Sequence, residues 1–137
     1  MGLKLIIEDD GKVLLEIPLS PSDWKRRELM REVDQLRREV KRNVKFYEAF
    51  TNANRIRMLH RLLEHERHTM KFKEFMTDLG LNPKIIRENA VKLQKIGFVD
   101  SPSRGEYRLS KRGQICFMMT LVAMRRTLQV IREEYPE

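Results

Sequence analysis

The chain has 137 residues, 41% of them hydrophobic, which is enough for one modest core with extensions. Its formal net charge of +8 favours an anionic partner such as nucleic acid or acidic lipid. The single cysteine, Cys116, excludes an internal disulfide and fits a reducing compartment. No apolar run reaches the roughly 18 residues of a membrane span, and the first residues lack a signal-peptide pattern. We therefore expect a cytoplasmic protein with no membrane partner.

The first segment, residues 1–20, has the pattern of a β-hairpin. Two short β-type runs, residues 3–7 and 12–17, flank the dipeptide Asp10-Gly11. A type I′ turn needs two residues that tolerate positive φ, and Asp-Gly supplies them. An isolated hairpin is barely stable in water, so this one must pack on another surface. It is either a structural flap or an edge that binds a partner protein.

Residues 21–47 are predicted to form one basic amphipathic helix, capped by Ser22 or Asp23. Its apolar positions alternate in steps of four and three, the pattern of a coiled coil of roughly three heptads with one polar interruption. These positions are Leu29, Val33, Leu36, Val40, Asn43 and Tyr47. The seam fits an intermolecular zipper or a helix packed on its own domain, and the pattern alone does not separate the two.

A further helix is predicted from Thr51 or Asn52, with Leu59 and Leu62 on its buried side. This segment also contains three histidines, His60, His65 and His68. Their spacing is not that of a closed zinc site, and no cysteine joins them locally. We expect surface histidines and no metal.

Residues 71–96 have the pattern of two helices joined by a tight turn. Gly80 can adopt the left-handed conformation that ends the first helix, Asn82 can cap the second, and Pro83 suits its first position. A turn of about three residues is the spacing of a helix-turn-helix, whose second helix can enter the major groove of DNA.

The second of these helices, residues 83–96, has two distinct faces. Ile86, Ala90 and Leu93 form a narrow apolar stripe. The opposite face is predicted to be polar and could contact phosphates and base edges, although most surface helices show a solvated polar face. That face carries Lys84, Arg87, Glu88, Asn89 and Lys92.

A predicted hairpin follows directly, and a hairpin in this position is the wing of a winged helix. Gly97 ends the helix, residues 98–100 and 106–109 form the strands, and Arg104 lies at the tip, where it could reach a phosphate or the minor groove. Residues 71–112 hold ten basic and five acidic side chains, so excess positive charge coincides with the motif. Residues 48–112 are thus predicted to be a winged helix-turn-helix DNA-binding domain.

The last segment, residues 113–137, is predicted to be a dimerisation helix. Nine of the ten residues 115–124 are apolar, so this helix is hydrophobic all round and should be covered by another surface. Its methionines, Met118, Met119 and Met124, are expected to fill the core. Together with the N-terminal helix it would form a homodimer that places two recognition helices about one DNA turn apart.

Three stretches carry a family resemblance that covers residues 46–113. AFTNANRIRML at 49–59, LQKIGFV at 93–99 and YRLSKRG at 107–113 resemble the ArsR-type winged-helix transcriptional regulators, especially those of archaea. The resemblance implies a dimeric, sequence-specific DNA-binding regulator in which Lys84, Arg87 and Asn89 face the groove. Metal-sensing members carry a cysteine pair near the helix-turn-helix, and this chain has none there. The N-terminal hairpin and helix lie outside the usual family core.

The sequence therefore predicts a mainly α fold with small β elements (α+β), acting as a homodimeric regulator bound to double-stranded DNA. The alternative is a winged helix that mediates protein contact, or non-specific nucleic-acid binding, in a transcription or chromatin assembly. The N-terminal hairpin and helix are the candidate surface for the basal transcription machinery. No catalytic constellation or cofactor motif is present, so we expect neither an enzyme nor a cofactor.

Two sets of site residues follow from this interpretation. The predicted DNA-binding residues are Lys71, Lys73, Asn82, Lys84, Arg87, Asn89, Lys92 and Arg104. The predicted dimer-interface residues are Leu29, Val33, Leu36, Val40, Ile115, Met118, Leu121 and Val122.

Overall fold

The computed structural model describes residues 2–137, and the chain divides after Asn43 into two compact units. Met1, which the predicted hairpin segment included, lies outside the described residues. Within residues 2–137, no helix is both long and apolar enough to cross a bilayer.

The first unit opens with the predicted β-hairpin, which is confirmed. Strands β1 (Lys4–Asp9) and β2 (Lys12–Pro18) pair antiparallel, with an irregularity in register between Ile7 and Glu8. The turn residues Asp10 and Gly11 have φ of 47° and 84°, the positive values that a type I′ turn requires.

The segment after the hairpin differs from the single helix that the heptad pattern predicted. A 3₁₀ turn at Pro21–Asp23 precedes helix α1 (Arg26–Arg38), and helix α2 (Val40–Glu48) follows after Glu39. The predictions of an unbroken helix and of a cap at Ser22 or Asp23 are therefore wrong. Neither glycine nor proline marks the break, and a heptad pattern reports which face is apolar rather than whether the backbone is continuous.

The second unit begins its core with helix α3 (Ala53–Glu64), capped as predicted by Asn52, whose side chain accepts a hydrogen bond from the Arg55 backbone N–H at 3.1 Å. A short turn with positive φ at Arg67 and His68 then leads into strand β3 (Thr69–Lys71). Helices α4 (Phe72–Leu79) and α5 (Pro83–Lys95) follow.

A small antiparallel sheet completes this domain. Strands β4 (Val99–Asp100) and β5 (Glu106–Leu109) form the predicted wing, and β3 pairs with β5 to give the order β3-β5-β4. The sequence did not reveal β3, because three residues are too few to show a strand period.

The C-terminal segment follows one helical path with an altered middle. Helix α6 (Lys111–Phe117) is capped by the Ser110 side chain, which accepts from the Gly113 N–H at 3.0 Å. A π-helical stretch (Met118–Ala123) joins it to helix α7 (Met124–Glu134). The single α-helix expected here is thus interrupted by wider turns, and among residues 2–137 the Thr120 hydroxyl is the one buried side-chain polar atom without a hydrogen-bond partner.

The core of the second unit lies between α3, α4, α5 and the sheet. Its largest fully buried side chains are Phe75, Phe98, Met58, Leu59, Leu62, Met70, Ile86, Leu93 and Leu109. The order α3-β3-α4-α5-β4-β5 is that of a winged helix-turn-helix. The predicted fold class, mainly α with small β elements, is confirmed.

Candidate nucleic-acid interface

The turn between α4 and α5 has the geometry that the sequence predicted. Gly80 takes φ of 65° at the end of α4, and Pro83 occupies the first position of α5. The Asn82 side chain accepts a hydrogen bond from the Ile85 N–H at 2.9 Å. Residues 80–82 therefore form a three-residue turn that fixes where α5, the predicted recognition helix, begins.

The outer face of α5 carries most of the predicted cations. Ile86 and Leu93 are fully buried, whereas Lys84, Arg87 and Lys92 are exposed. Lys84 lies 3.9 Å from Glu88 one turn later, an exposed surface pair of the kind that contributes little to stability. The face is basic but not uniformly so.

Asn89 was predicted to lie on this exposed face, and that prediction is wrong. Its side chain is 7% exposed, accepts a hydrogen bond from Arg55 Nη1 at 3.0 Å and donates one to the Ile85 carbonyl at 2.9 Å. The Asn89 amide therefore lies on the buried side of α5, where it could not contact a DNA groove. The position three residues after Ile86 belongs to the edge of the same apolar stripe, which could have revealed its burial.

Arg55, the partner of Asn89, is a functional candidate that the sequence interpretation missed. The residue is 6% exposed, and its Nε and Nη2 donate to the Glu48 carbonyl at 3.1 and 2.6 Å. It therefore ties the end of α2 to the underside of α5. An arginine within an otherwise ordinary helix pattern gives no sign of such burial, because its partner Asn89 is distant in the chain.

Phe72, the first residue of α4, joins the recognition helix to the wing. The Arg87 guanidinium lies 5.3 Å from the centroid of the Phe72 ring. The backbone N–H of Phe72 donates to the Gly105 carbonyl at 2.8 Å. Cations over an aromatic face are held electrostatically, so Arg87 is positioned rather than freely mobile. Lys71 and Lys73, both exposed, flank Phe72 in the chain.

The wing itself is a tight, internally bonded loop. The Ser101 hydroxyl donates to the Ser103 and Glu106 carbonyls, and Arg108 pairs with Asp100 across the strands at 3.0 Å. Arg104 is exposed at the tip, as predicted. Phe72 therefore contacts the Arg87 side chain of α5 and the wing backbone at Gly105, next to Arg104 in the chain.

Three side chains near the end of α3 approach the geometry of a metal site. Ligand atoms of His65, Glu74 and Asp78 lie within 4.8 Å of one another. They are already engaged, since Glu74 accepts from the Lys71 N–H at 2.9 Å and Asp78 pairs with Arg61 at 2.9 Å. A guanidinium inside the cluster opposes a cation, so we interpret the group as an ion-pair network that joins α3 to α4.

The predicted dimer-interface residues are mostly uncovered within one chain. Val33, Leu36 and Val40 are exposed, as are Ile115 and Met118, whereas Leu29 is half-buried. Leu121 and Val122 pack partly against the chain's own core. The expectation that the methionines fill the core is wrong, because the exposed residues include Met118, Met119 and Met124.

Comparisons with known proteins place few limits on this chain. No protein-family model matches it, and no curated protein matches it. It is similar to the solved structure of a MarR family transcriptional regulator from Streptomyces coelicolor, with a TM-score of 0.48 and 13% identity over 82% of this chain and 100% of the other. Identity this low does not identify a family. The winged-helix assignment therefore rests on the chain's own element order, and the resemblance to the ArsR type stays a prediction.

Proposed function

We propose that the chain is a DNA-binding transcriptional regulator that acts as a homodimer. In this proposal α5 enters the major groove of double-stranded DNA, and the wing contacts the backbone or the minor groove. The observation that carries it is the linkage through Phe72, which holds Arg87 of the recognition helix and the wing backbone against the start of α4. A guanidinium that is already positioned loses less side-chain entropy when it meets a base edge or a phosphate.

The roles of the cations follow from their chemistry. Arg87 is the candidate for base readout, because a planar guanidinium can bind the O6 and N7 atoms of guanine together. Lys71, Lys73, Lys84, Lys92 and Arg104 are candidates for phosphate contact, which orients the protein without reading sequence. Asn82 acts through its cap, because it fixes the start of α5.

Homodimerisation is proposed from the apolar side chains that one chain leaves in water. The exposed set includes Val33, Leu36, Val40, Ile115, Met118, Met119 and Met124. Large exposed apolar patches are typical of interaction surfaces, and a two-fold dimer would present two copies of α5 to a palindromic site. A dimer of this kind would also fit the ArsR-type resemblance. A cytoplasmic location is a separate part of the same proposal.

A second candidate function has one observation in its favour. Burial of Asn89 removes from the exposed face of α5 a side-chain amide of the kind that pairs with adenine. Lysine and arginine remain, and they bind phosphates of any sequence. A winged helix that binds nucleic acid without sequence preference, or that contacts an acidic partner in a transcription or chromatin assembly, is therefore the alternative.

Selection from random duplex DNA at fixed salt separates the two. The wild-type protein is compared with Arg87→Ala and with Arg132→Ala, which removes an exposed arginine from α7 instead. A palindromic motif that loses about 1–3 kcal/mol of preference at one base position in Arg87→Ala alone would support base reading. Enrichment of no motif, with binding that stays strongly dependent on salt, would overturn it in favour of the alternative.

A further inference from the structure

A cavity of about 260 Å³ lies beside the C-terminal half of α5, where residues from the end of α2 and from α3 complete its lining. Its lining combines apolar side chains, Ala49, Leu93 and Ile96, with charged ones. The charged lining residues are Lys45, Glu48, Arg55, Lys92 and Lys95. Four cations against one acid give this concave surface a positive potential, and concave surfaces concentrate such a potential.

Arg55 is the unusual member of this lining. Arg55 is a buried residue, yet the observed partners of its guanidinium are the uncharged Glu48 carbonyl and the Asn89 amide oxygen. Within residues 2–137 no carboxylate forms an ion pair with it. A guanidinium has five N–H groups, and three are used here, one on each nitrogen. A buried charge without a counter-ion is costly, so this position favours an anion.

The cavity limits the size and character of that anion. Ligand pockets for drug-sized molecules typically occupy about 300–1,000 Å³, so this one suits something smaller. The apolar lining accommodates a hydrocarbon or aromatic body, and the cations bind a carboxylate. We propose that the cavity binds a small organic carboxylate whose charged group pairs with Arg55 and the rim lysines.

A ligand in the cavity would affect the hydrogen bonds that hold the recognition helix. Arg55 Nη1 donates to Asn89, and Asn89 in turn donates to the Ile85 carbonyl one turn earlier in α5. An anion that draws the guanidinium toward the cavity weakens or redirects the first of these bonds. The site is thereby connected to the orientation of α5. The regulatory consequence rests on the proposed DNA-binding function, whereas the binding itself does not.

The test is a titration of the full-length protein with benzoate, monitored by ¹H–¹⁵N NMR. Benzamide serves as an uncharged control of the same shape, and inorganic phosphate serves as a competing type of anion. We expect saturable shifts at the amides of Ala49, Leu93 and Ile96 and at the Asn89 side-chain amide with benzoate. Lys45→Gln/Lys95→Gln should weaken this binding about three- to tenfold. Lys12→Gln/Lys25→Gln, which removes two exposed lysines elsewhere, should leave it unchanged.

Three results would overturn the proposal. Equal shifts with benzamide would show that charge is irrelevant, and tighter binding of inorganic phosphate would assign the cavity to a phosphate group instead of a carboxylate. Absence of saturable shifts with benzoate, phenylacetate and hexanoate would show that the cavity takes no small carboxylate. Because none of these readouts contains DNA, failure of the proposed regulatory function would show itself separately, in the selection experiment.

Discussion

At the scale of single residues, the interface depends on side chains that the solvent does not reach. Asn89 and Arg55 lie under α5 and join it to the end of α2. The sequence could place Lys84 and Arg87 on the outer face, because helical periodicity reports faces directly. It could not pair Asn89 with Arg55, because contacts between distant positions leave no local pattern.

Replacing Asn89 tests this buried pair. Asn89→Ala leaves one Arg55 N–H without a partner inside the protein, and an unsatisfied buried donor costs about 1–3 kcal/mol. We expect that loss in the free energy of unfolding measured with urea. Gln94→Ala, on the exposed side of the same helix, should change it far less. A stable Asn89→Ala variant with altered base preference would instead return Asn89 to the DNA face.

Asp78 gives a prediction about acid stability. The Arg61 side chain, hydrogen-bonded to Asp78, holds the pKa of that carboxyl below its ordinary value. A lowered folded-state pKa contributes stability that is present above the unfolded pKa of about 3.9 and is lost as the pH falls toward the folded value.

The melting temperature of Asp78→Asn should accordingly fall less steeply than that of the wild type between about pH 6 and pH 3. Glu66→Gln, a change to an exposed acid in the turn after α3, serves as the control. Parallel curves for the wild type and Asp78→Asn would show that this pair does not contribute to acid sensitivity.

At the scale of elements, turn chemistry was the most informative part of the sequence. Asp10-Gly11, Gly80 and the Asn82-Pro83 pair have backbone requirements that few other residues meet, and each adopts the predicted conformation. Breaks without such markers were missed, namely the interruption at Glu39 and the π-helical stretch at Met118–Ala123. Strand β3 was missed for the same reason, since its only signature is its partner β5.

The junction between the wing and α6 depends on Gly113. A Cβ added there would overlap the Phe98 carbonyl oxygen, which accepts a hydrogen bond from the Ser110 N–H at 2.9 Å. Gly113→Ala must therefore push α6 away from the base of the wing. We expect a loss of about 1–3 kcal/mol in the free energy of unfolding, typical of overpacking.

Lys111→Ala, in the same helix but exposed, should be nearly neutral in the same urea titration. An unchanged midpoint for Gly113→Ala would mean that α6 and the wing are not packed as closely as the structure shows.

At the scale of the whole molecule, the proposed function involves two copies of the chain. Large apolar side chains remain exposed on the first two helices and on the C-terminal segment, and we propose that a second copy covers them. The sequence located these residues but could not say which of them pack on the chain's own core, as Leu121 and Val122 partly do.

Light scattering at micromolar concentration should give twice the chain mass of 16.5 kDa. Met118→Glu, which places a charge on the exposed side of the C-terminal segment, should shift the mass toward one chain because a buried unpaired charge is costly. Glu134→Gln, near the end of α7, should not. A single-chain mass for the wild type would contradict the proposed dimer and, with it, the palindromic DNA site.

Whether α5 reads DNA through Arg87 is tested most directly by a ratio of two binding affinities. Binding of the selected duplex and of a scrambled duplex is measured by fluorescence anisotropy at one salt concentration. Phe72→Leu is included, since it removes the ring under Arg87 but keeps the guanidinium. Arg87→Ala should reduce the preference for the selected duplex by about 1–3 kcal/mol, Phe72→Leu by less, and Arg132→Ala not at all. Equal weakening on both duplexes by Arg87→Ala would contradict base reading and leave a helix that binds phosphates only.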